Sequence, residues 1–518
     1  MRVYKVCLAL GLVATLASCN SFLDEMPDNR QTLDRPDKIK SLLTSAYANI
    51  HHMGMLEVRT DNMADNGPRY QEGDLRDQEG YRWQDLTPED FDSSKWYWDR
   101  QYSAIAAANQ VIESAGEYAD PAKVAAIRAE ALVARAWGHF NLVNYFARAY
   151  NSQTSASDLG VPYVVETEKR IGVVYPRETV KRTYELIDKD LTEALPLIDG
   201  GMHKSEASKY HFNKSAAHAF AAQFYLYYEQ WEKAKQHATL AIGEDPSASL
   251  RNVAAYQSLN TGAEQRNAFT ATAEPANLML QNSNSHYGRR YLNFRYAHNR
   301  AISRETFSGA GPWGNMLPDY NNLARNVTND PDAIVFIWRY EEAFQILDKR
   351  NGIGIPNVIT MPLTVDKTLL VRAEAEVMLN EFEAAAQDLS RYYKSKGGRT
   401  ATAEEISSFY NIPADLSNLS ERQQADYNAK LRGVAKPLKP SFTLAEGKQY
   451  NMIQAVLHAR RIETLYEGDR WFDIKRYNIE ITHDIPGGTP VVLKANDPRH
   501  AMQLPGSVIA SGLPKNPR

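Results

Sequence analysis

The stretch AFAAQFYLYYEQWEKAKQHATLAIGEDP, residues 219–246, has the pattern of two short helices joined by a tight polar turn. A second stretch, LLVRAEAEVMLNEFEAAAQDLSRYY at 369–393, repeats this pattern when Trp231 is aligned with Phe382. The alignment also superposes small residues, which are Ala222 with Ala373 and Ala234 with Ala385. Small residues let paired helices approach closely, and this spacing is typical of tetratricopeptide repeats, which stack into a superhelix. Two unrelated alanine-rich hairpins are the alternative.

Helical periodicity extends outward from these two stretches. Three further segments place apolar residues at helical intervals: 36–51, 124–150 and 178–199. The chain is irregular at about 252–362, which is rich in Asn, Gly, Ser and Tyr, and again at about 396–442. Long loops in a compact protein tend to be functional. We therefore predict a mainly α fold, a tetratricopeptide-like superhelix of helical pairs over about 35–250 and 363–480, with long irregular ligand-binding loops.

The composition excludes broad nucleic-acid binding. The 518 residues are 43% hydrophobic and 24% charged, with a mean hydropathy of -0.50, as in a soluble globular protein. Lys and Arg number 59 and Asp and Glu 63, which leaves a net charge of -4. Proteins that bind nucleic acid broadly need a strong positive field to engage phosphates, and this chain lacks the charge for one.

The N-terminus has the layout of a secretory leader. Arg2 and Lys5 precede an apolar run over 6–17, which is too short to span a bilayer as a mature helix. The run ends in LASC, residues 16–19, which resembles a bacterial lipobox. That resemblance implies a signal peptide over 1–18, cleavage before Cys19 and lipid attachment to its sulfur and new amino terminus. An ordinary signal peptide with an incidental cysteine is the alternative.

Known catalytic motifs are absent from the sequence. Cys7 and Cys19 are the two cysteines, so the body after the leader has no disulfide, thiol nucleophile or cysteine-based zinc site. No phosphate-binding loop, HExxH helix or GxSxG elbow occurs. His51 and His52 are adjacent and would point apart on a helix, so we expect no metal there. The sequence supports no enzyme, cofactor or metal, although a carboxylate pair for sugar hydrolysis is assembled by the fold and is not visible in sequence.

The stretch RRIETLYEGDRWFDIKR, residues 460–476, is dense in arginines, carboxylates and aromatics. Its apolar positions predict two helical pieces about Gly468, with Glu463 and Glu467 on one face near Arg460. Arginines can form forked pairs with carboxylates across such a junction. We predict a partly buried ion-pair network that holds the last helices on the scaffold. Its expected members are Arg460, Glu463, Glu467, Asp469, Arg470, Trp471 and Asp473.

Several segments in order resemble the SusD/RagB family of outer-membrane nutrient-binding lipoproteins. They include CNSFLDEMPD from Cys19, WDRQYSAIAAANQVIE at 98–113, RAEALVARAWGHFNLVNYFA at 128–147, the repeat at 369–389, ARRIETLYEGDRWFDIKRY at 459–477 and DPRHAMQLPGSVIASGLPKNP at 497–517. The looped middle of the chain shows no family pattern. The resemblance implies one SusD-like domain over 19–518, built on four tetratricopeptide-like helix pairs.

The resemblance also implies a function. It predicts a surface-exposed lipoprotein, anchored to the outer membrane through Cys19, that captures an oligosaccharide and passes it to a SusC-like TonB-dependent transporter. It implies binding without catalysis and without a cofactor. A peptide-capturing RagB-like member of the same system is the alternative within the family. A tetratricopeptide scaffold for protein partners and a helical secreted glycosidase are alternatives from other classes.

Aromatic and polar residues in the loops are the candidate ligand contacts. A sugar ring stacks its C–H face on aromatic rings, while its hydroxyls need polar partners. Candidates with this chemistry are Trp313, Tyr320, Tyr287, Tyr291, Arg69, Tyr70 and Trp83. Trp313 is the strongest, because the small residues of SGAGPWGN around it predict an uncovered ring. Trp96 and Trp98 lead directly into a helix, and we assign them to packing.

Overall fold

A computed structural model describes residues 33–170, 173–291, 295–326, 334–413 and 415–518, so the leader and Cys19 lie outside the described residues. The chain is mainly helical. Its helices of two turns or more are α3 (Leu75–Tyr81), α4 (Ser94–Gly116), α5 (Ala125–Phe146), α6 (Val180–Ala194), α8 (Lys214–Tyr227), α9 (Trp231–Ile242), α10 (Gly262–Phe269), α14 (Val365–Met378), α15 (Phe382–Ser395), α16 (Ala403–Tyr410), α17 (Glu421–Gly433), α18 (Lys448–Glu463) and α19 (Arg470–Arg476), with α1 (Pro36–Leu42) before them. Shorter helices are α2 (Met53–Leu56), α7 (Ser205–Ser208), α11 (Tyr287–Arg290), α12 (Arg300–Ser303), α13 (Pro318–Leu323) and α20 (Gly506–Ala510).

The predicted internal repeat is confirmed in its turn geometry. α8 with α9 and α14 with α15 form two helical pairs that pack against each other through α9 and α14. Each turn places one residue in the left-handed region, Glu229 at φ 61° and Asn380 at φ 63°. The following amide donates to a carbonyl five residues back in both turns, at 2.9 and 2.8 Å. The four aligned alanines are completely buried, so small residues do line the helix contacts.

The helices α4, α5 and α6 form the layer before the first repeat. α5 is buried along most of its length because it packs between α4 and α6. A buried ion pair joins the last two helices, with Arg135 Nη2 2.7 Å from Asp190 Oδ1. The main apolar core is one cluster of contacting buried side chains, with members from Ala46 to Leu513. The helical layers therefore share one interior.

The strands are short and lie mostly in the middle of the chain. They are β1 (Ala64–Asp65), β2 (Asn277–Asn284), β3 (Tyr296–Ala297), β4 (Arg325–Asn326), β5 (Val335–Phe336), β6 (Gln345–Asp348), β7 (Ile353–Ile355), β8 (Asn357–Thr364), β9 (Ile481–His483) and β10 (Val491–Leu493). All pair as two-stranded antiparallel sheets, β1 with β3, β2 with β8, β4 with β5, β6 with β7 and β9 with β10. The middle region is therefore more regular than the sequence predicted.

The second irregular region also contains helices that the sequence analysis missed. α16 and α17 lie within 396–442, and each begins with a capping box. The boxes join Thr402 to Glu405 and Ser420 to Gln423, and such a spacing is readable as a helix start. Among the described residues, no helix is both long and apolar enough to cross a membrane.

The stretch at 460–476 forms the expected network, and it is more deeply buried than predicted. α18 and α19 meet at Gly468, which has φ 80°. Arg460 pairs with Glu374 at 2.5 Å and with Asp473 at 2.7 Å. The expectation that Glu463 and Glu467 face Arg460 is wrong, because Arg339 lies 3.7 and 3.6 Å from these two carboxylates. The network therefore draws in α14 and the looped middle, beyond the stretch itself.

Candidate ligand-binding face

Trp313 is buried, so the expectation of an uncovered ring is wrong. Its side chain is 2% exposed and packs on Tyr393 and His458, with ring centroids 5.2 and 4.6 Å away. The indole N–H donates to Gly309 O at 3.3 Å. The small residues have the opposite effect from the one predicted, because a Cβ at Gly311 would clash with the indole. Glycine here lets the backbone cover the ring.

Three of the four candidate tyrosines, Tyr320, Tyr287 and Tyr291, are also buried and lie beside the network of the last helices. The Tyr320 hydroxyl donates to Glu463 Oε2 at 2.8 Å and accepts from Arg339 at the same distance. Tyr287 packs on Tyr291, and Tyr291 packs on Tyr466 of the junction, both at 5.5 Å between centroids. These rings form the support of the looped region, and a ligand does not reach them in this conformation.

Trp83 anchors the loop between α3 and α4. It is 2% exposed, stacks on His483 at 4.2 Å and donates its indole N–H to Arg59 O at 2.9 Å. Its φ of 52° is in the left-handed region, which a bulky residue adopts rarely. The stacking on His483 and the indole hydrogen bond therefore hold a strained backbone, as expected of a loop whose shape is fixed.

Arg69 and Tyr70 are the two predicted contacts that reach the surface. Arg69 is exposed and Tyr70 is half-buried, with the guanidinium 4.9 Å from the ring centroid. Their loop follows β1, which pairs with β3. Ligand contact by these two residues stays a prediction.

The structure brings together a surface group that the sequence analysis missed, which we call the ring cluster: Phe91, Trp96 and His286, with Arg100. The Phe91 ring lies 5.0 Å from Trp96 and 5.1 Å from His286. The Arg100 guanidinium lies 4.0 Å above the Trp96 ring. All four side chains are half-buried, and the indole N–H of Trp96 has no hydrogen-bond partner among the described residues. The assignment of Trp96 to packing is therefore incomplete, whereas Trp98 is buried as expected.

Buried charges hold the ring cluster in place from beneath. Arg290 pairs with Asp77 at 2.5 Å and with Asp92 at 3.4 Å. Asp92 also accepts from the Ser285 hydroxyl at 2.7 Å and from the His286 amide at 2.9 Å. Its φ of 56° places a non-glycine residue in the left-handed region directly after Phe91. Such strain costs roughly 1–3 kcal/mol and persists where the surroundings fix the backbone.

The rim of the ring cluster carries exposed charge, while its imidazole is neutral. Arg76 pairs with Asp90 on one side, and Arg289 Nε pairs with Glu342 at 2.7 Å on the other. Burial lowers the pKa of His286, although the negative charge of Asp92 opposes the shift. A neutral imidazole offers one donor and one acceptor at pH 7. Apolar faces, a neutral ring and rim charges are together suited to binding a polyhydroxylated ligand.

A second concave surface lies on the other side of the α4 N-terminus. This apolar groove of about 620 Å³ is lined by Trp98, Tyr102, Val174, Tyr175 and Leu513, among others. Val174 is 59% exposed. Residues two apart on a helix face different sides. Trp96 therefore belongs to the ring cluster, whereas Trp98 lines the groove.

Two family models match the chain. The first, described as starch-binding and associating with the outer membrane, matches residues 21–226, and the second, the SusD family, matches residues 367–501. The chain belongs to the SusD/RagB family. The unmatched part between the two models contains α9 and the looped middle, which contributes His286 to the ring cluster. The SusD-like protein P2 of Formosa agariphila is 23% identical over 459 residues, which are 81% of this chain and 80% of the relative.

Solved SusD structures share the fold. A SusD superfamily protein of Bacteroides vulgatus superposes with a TM-score of 0.63 at 17% identity, covering 94% of this chain and 99% of that one. A Bacteroides thetaiotaomicron member gives 0.61 at 18%, covering 94% and 100%. A laminarin-binding SusD-like protein gives 0.57 at 15%, covering 93% and 98%. At these identities the similarity shows the fold alone.

Proposed function

We propose that the chain binds a glycan at the ring cluster. The observation that supports this most is the combination of three half-buried rings with polar neighbours on a rigid base. Sugars stack on such rings and use N–H donors for their hydroxyls. The family's starch-binding description and the laminarin-binding relative point to glucans as the first ligands to test.

We further propose that binding takes place at the outer membrane and serves import. The lipobox predicts an anchor at Cys19, and the family model's description names the outer membrane. In this proposal the chain is a surface-exposed lipoprotein that captures the oligosaccharide and passes it to a SusC-like TonB-dependent transporter without cleaving it. Capture close to the transporter raises the local ligand concentration, which favours uptake.

Fluorescence titration tests the ligand and the site together. The full-length chain in detergent is titrated with malto-oligosaccharides and laminari-oligosaccharides, and we expect the tryptophan emission to change on binding. Trp96→Ala should weaken the binding at least tenfold, since a sugar ring stacked on the indole removes apolar surface of both partners from water. Trp231→Ala is the matched control, because Trp231 at the start of α9 is also half-buried but packs on Phe442, away from the ring cluster.

A third variant separates the two surfaces. Tyr175→Ala opens the apolar groove and leaves the ring cluster intact, so it should bind glycan as the wild type does. If Tyr175→Ala loses binding while Trp96→Ala keeps it, the ligand site is the groove. If no glycan binds and peptides do, the peptide-capturing alternative replaces the glycan proposal.

Purification from solubilised outer membrane tests the partner. Co-purification of a large TonB-dependent barrel supports the import role. A tetratricopeptide scaffold would instead bring down a periplasmic assembly without a barrel. Product analysis after prolonged incubation with the bound glycan tests the absence of catalysis, because a glycosidase would shorten the oligosaccharide.

A further inference from the structure

A buried carboxylate with two histidine partners lies away from the proposed ligand face. Glu130 of α5 is completely buried. His203 Nε2 lies 2.7 Å from its Oε2, and His211 Nδ1 lies 2.7 Å from its Oε1. The hydroxyl of Tyr47 donates to Oε1 at 2.6 Å and accepts from the Phe212 amide at 2.8 Å. Two segments distant in sequence from α5, at Tyr47 and at 203–212, therefore converge on this one carboxylate.

The charge of this carboxylate is not balanced by a permanent cation. No lysine or arginine in the described part of the chain makes an ion pair with Glu130. The two imidazoles stack at 3.7 Å with an angle of 17° between their planes, so the two rings lie side by side at the carboxylate. Buried carboxylates are normally paired with a cation or coordinate a metal ion. A divalent ion would place a permanent positive charge beside this carboxylate.

We propose that Glu130, His203 and His211 bind a divalent transition-metal ion of the zinc class. Two imidazole nitrogens and one carboxylate oxygen are a donor set that zinc uses with a fourth, open position. The donor atoms of the three residues all lie within 4.8 Å of one another. Zinc bonds of about 2.0–2.1 Å need donors about 3.3 Å apart in a tetrahedron, so movements of about 1 Å or less complete the site.

Binding needs a change of tautomer and no change of fold. His203 Nε2 and His211 Nδ1 must each present a lone pair to the ion, so each neutral ring carries its proton on the other nitrogen. A ring that is protonated beforehand releases one proton on binding. The ion then joins the segment 203–211 to α5 beside Tyr47. This site is independent of the ring cluster and of any glycan.

A second histidine pair with a carboxylate is less suited to a metal. The His51 and His52 rings lie 4.1 Å apart, because both residues precede α2, so the expectation that they lie on a helix and point apart is wrong. Asp469 beside them already pairs with Lys367 at 3.0 Å, and His51 Nδ1 accepts from the Met53 amide at 3.2 Å. A cation and an occupied lone pair both disfavour a divalent ion there.

Zinc stoichiometry of the full chain tests the proposal. The chain is purified in detergent, stripped with a chelator, equilibrated with zinc and analysed by elemental mass spectrometry. We expect one zinc per chain in the wild type and less than half of that in His203→Gln and in His211→Gln. His237→Gln is the matched control, since His237 contacts His218 at 3.0 Å, has no hydrogen-bonded carboxylate among the residues that the structure describes, and should keep the zinc.

Two further measurements keep the test decisive. Zinc should raise the midpoint of thermal unfolding in the wild type and in His237→Gln but not in His203→Gln, and unchanged far-UV circular dichroism shows that the variants fold. Cobalt should give an absorption spectrum of nitrogen and oxygen coordination that both site variants lose. The proposal is overturned if the wild type binds no zinc, if both site variants keep one zinc, or if His52→Gln removes it.

Discussion

At the scale of single residues, burial reverses the meaning of the most conspicuous aromatics. Trp313, Tyr320, Tyr287 and Tyr291 have the chemistry of ligand contacts, yet all are at most 4% exposed. Residue type shows that a ring can stack on a sugar, but tertiary packing decides whether a sugar can reach it. The place of Trp96 at the start of a helix predicts packing, and only the folded chain brings Phe91 and His286 beside it.

Trp313→Ala should destabilise the protein strongly. The substitution leaves a cavity beside Tyr393 and His458, and loss of a buried tryptophan typically costs about 3–5 kcal/mol. Urea unfolding followed by circular dichroism measures the change. Trp96→Ala serves as the comparison, because loss of a half-buried ring should lower the free energy of unfolding much less. Retention of wild-type stability by Trp313→Ala would mean that the ring is not packed as described.

Glu376 should make stability fall as the pH rises. Burial, with a contribution from Asp388, raises the pKa of Glu376 to about 8. The unfolded chain releases this proton near pH 4.5, so between about pH 5 and 8 the folded state binds more protons than the unfolded state. The free energy of unfolding therefore falls as pH rises through this window, by at most about 1.4 kcal/mol per pH unit. Above the pKa of Glu376 in the folded state, the carboxyl is ionised in both states, and it no longer makes stability depend on pH.

Glu376→Gln tests that sign. The amide is neutral at every pH, so the variant should gain stability relative to the wild type as pH rises from 5 to 8. Urea unfolding at several pH values measures the difference. Glu383→Gln is the control, because that side chain is 80% exposed, and its curve should parallel the wild type. A difference that shrinks with rising pH contradicts the assignment.

At the scale of elements, the repeats could be predicted from sequence and the loop structure could not. Alanines and aromatics at fixed spacing report helix contacts directly, so the pairs α8–α9 and α14–α15 follow from the pattern. The pairing of β2 with β8 depends on a contact across some 80 residues, which local pattern does not encode. The helices α16 and α17 could have been predicted, because their capping boxes are local signals.

The equivalence of the two repeat turns can be tested by exchanging their left-handed residues. Glu229 and Asn380 occupy equivalent left-handed positions, and asparagine adopts this conformation more readily than glutamate. Burial also raises the pKa of Glu229 to about 7, so the ionised carboxylate is unfavourable at this position. Glu229→Asn should therefore stabilise the chain by roughly 1 kcal/mol, and Asn380→Glu should destabilise it by a similar amount. Thermal unfolding measures both, and equal midpoints for the two variants would contradict the turn equivalence.

At the scale of the whole molecule, the first described segments and the last helices form one unit. Glu57 accepts from the amides of Tyr466 and Gly468 at 2.9 and 2.7 Å. Asp61 pairs with Arg470 at 3.0 Å and with Lys436 at 2.9 Å. The sequence indicates that the stretch 460–476 is a structural network, but its partners near residue 60 are some 400 positions away. No local pattern could name them.

Asp61→Asn should lower the stability of the whole chain in a single transition. The substitution leaves Arg470, Lys436 and Arg461 around a neutral amide, and removing one partner of a buried ion pair costs about 3–5 kcal/mol. Because the main core is continuous from Ala46 to Leu513, tryptophan fluorescence and far-UV circular dichroism should shift together in urea. Asp85→Asn is the matched control, since Asp85 joins Arg518 in a pair that is 49% exposed on the aspartate side and should change little. Two separate transitions, with only one moved by Asp61→Asn, would instead mean that the two ends of the chain unfold independently.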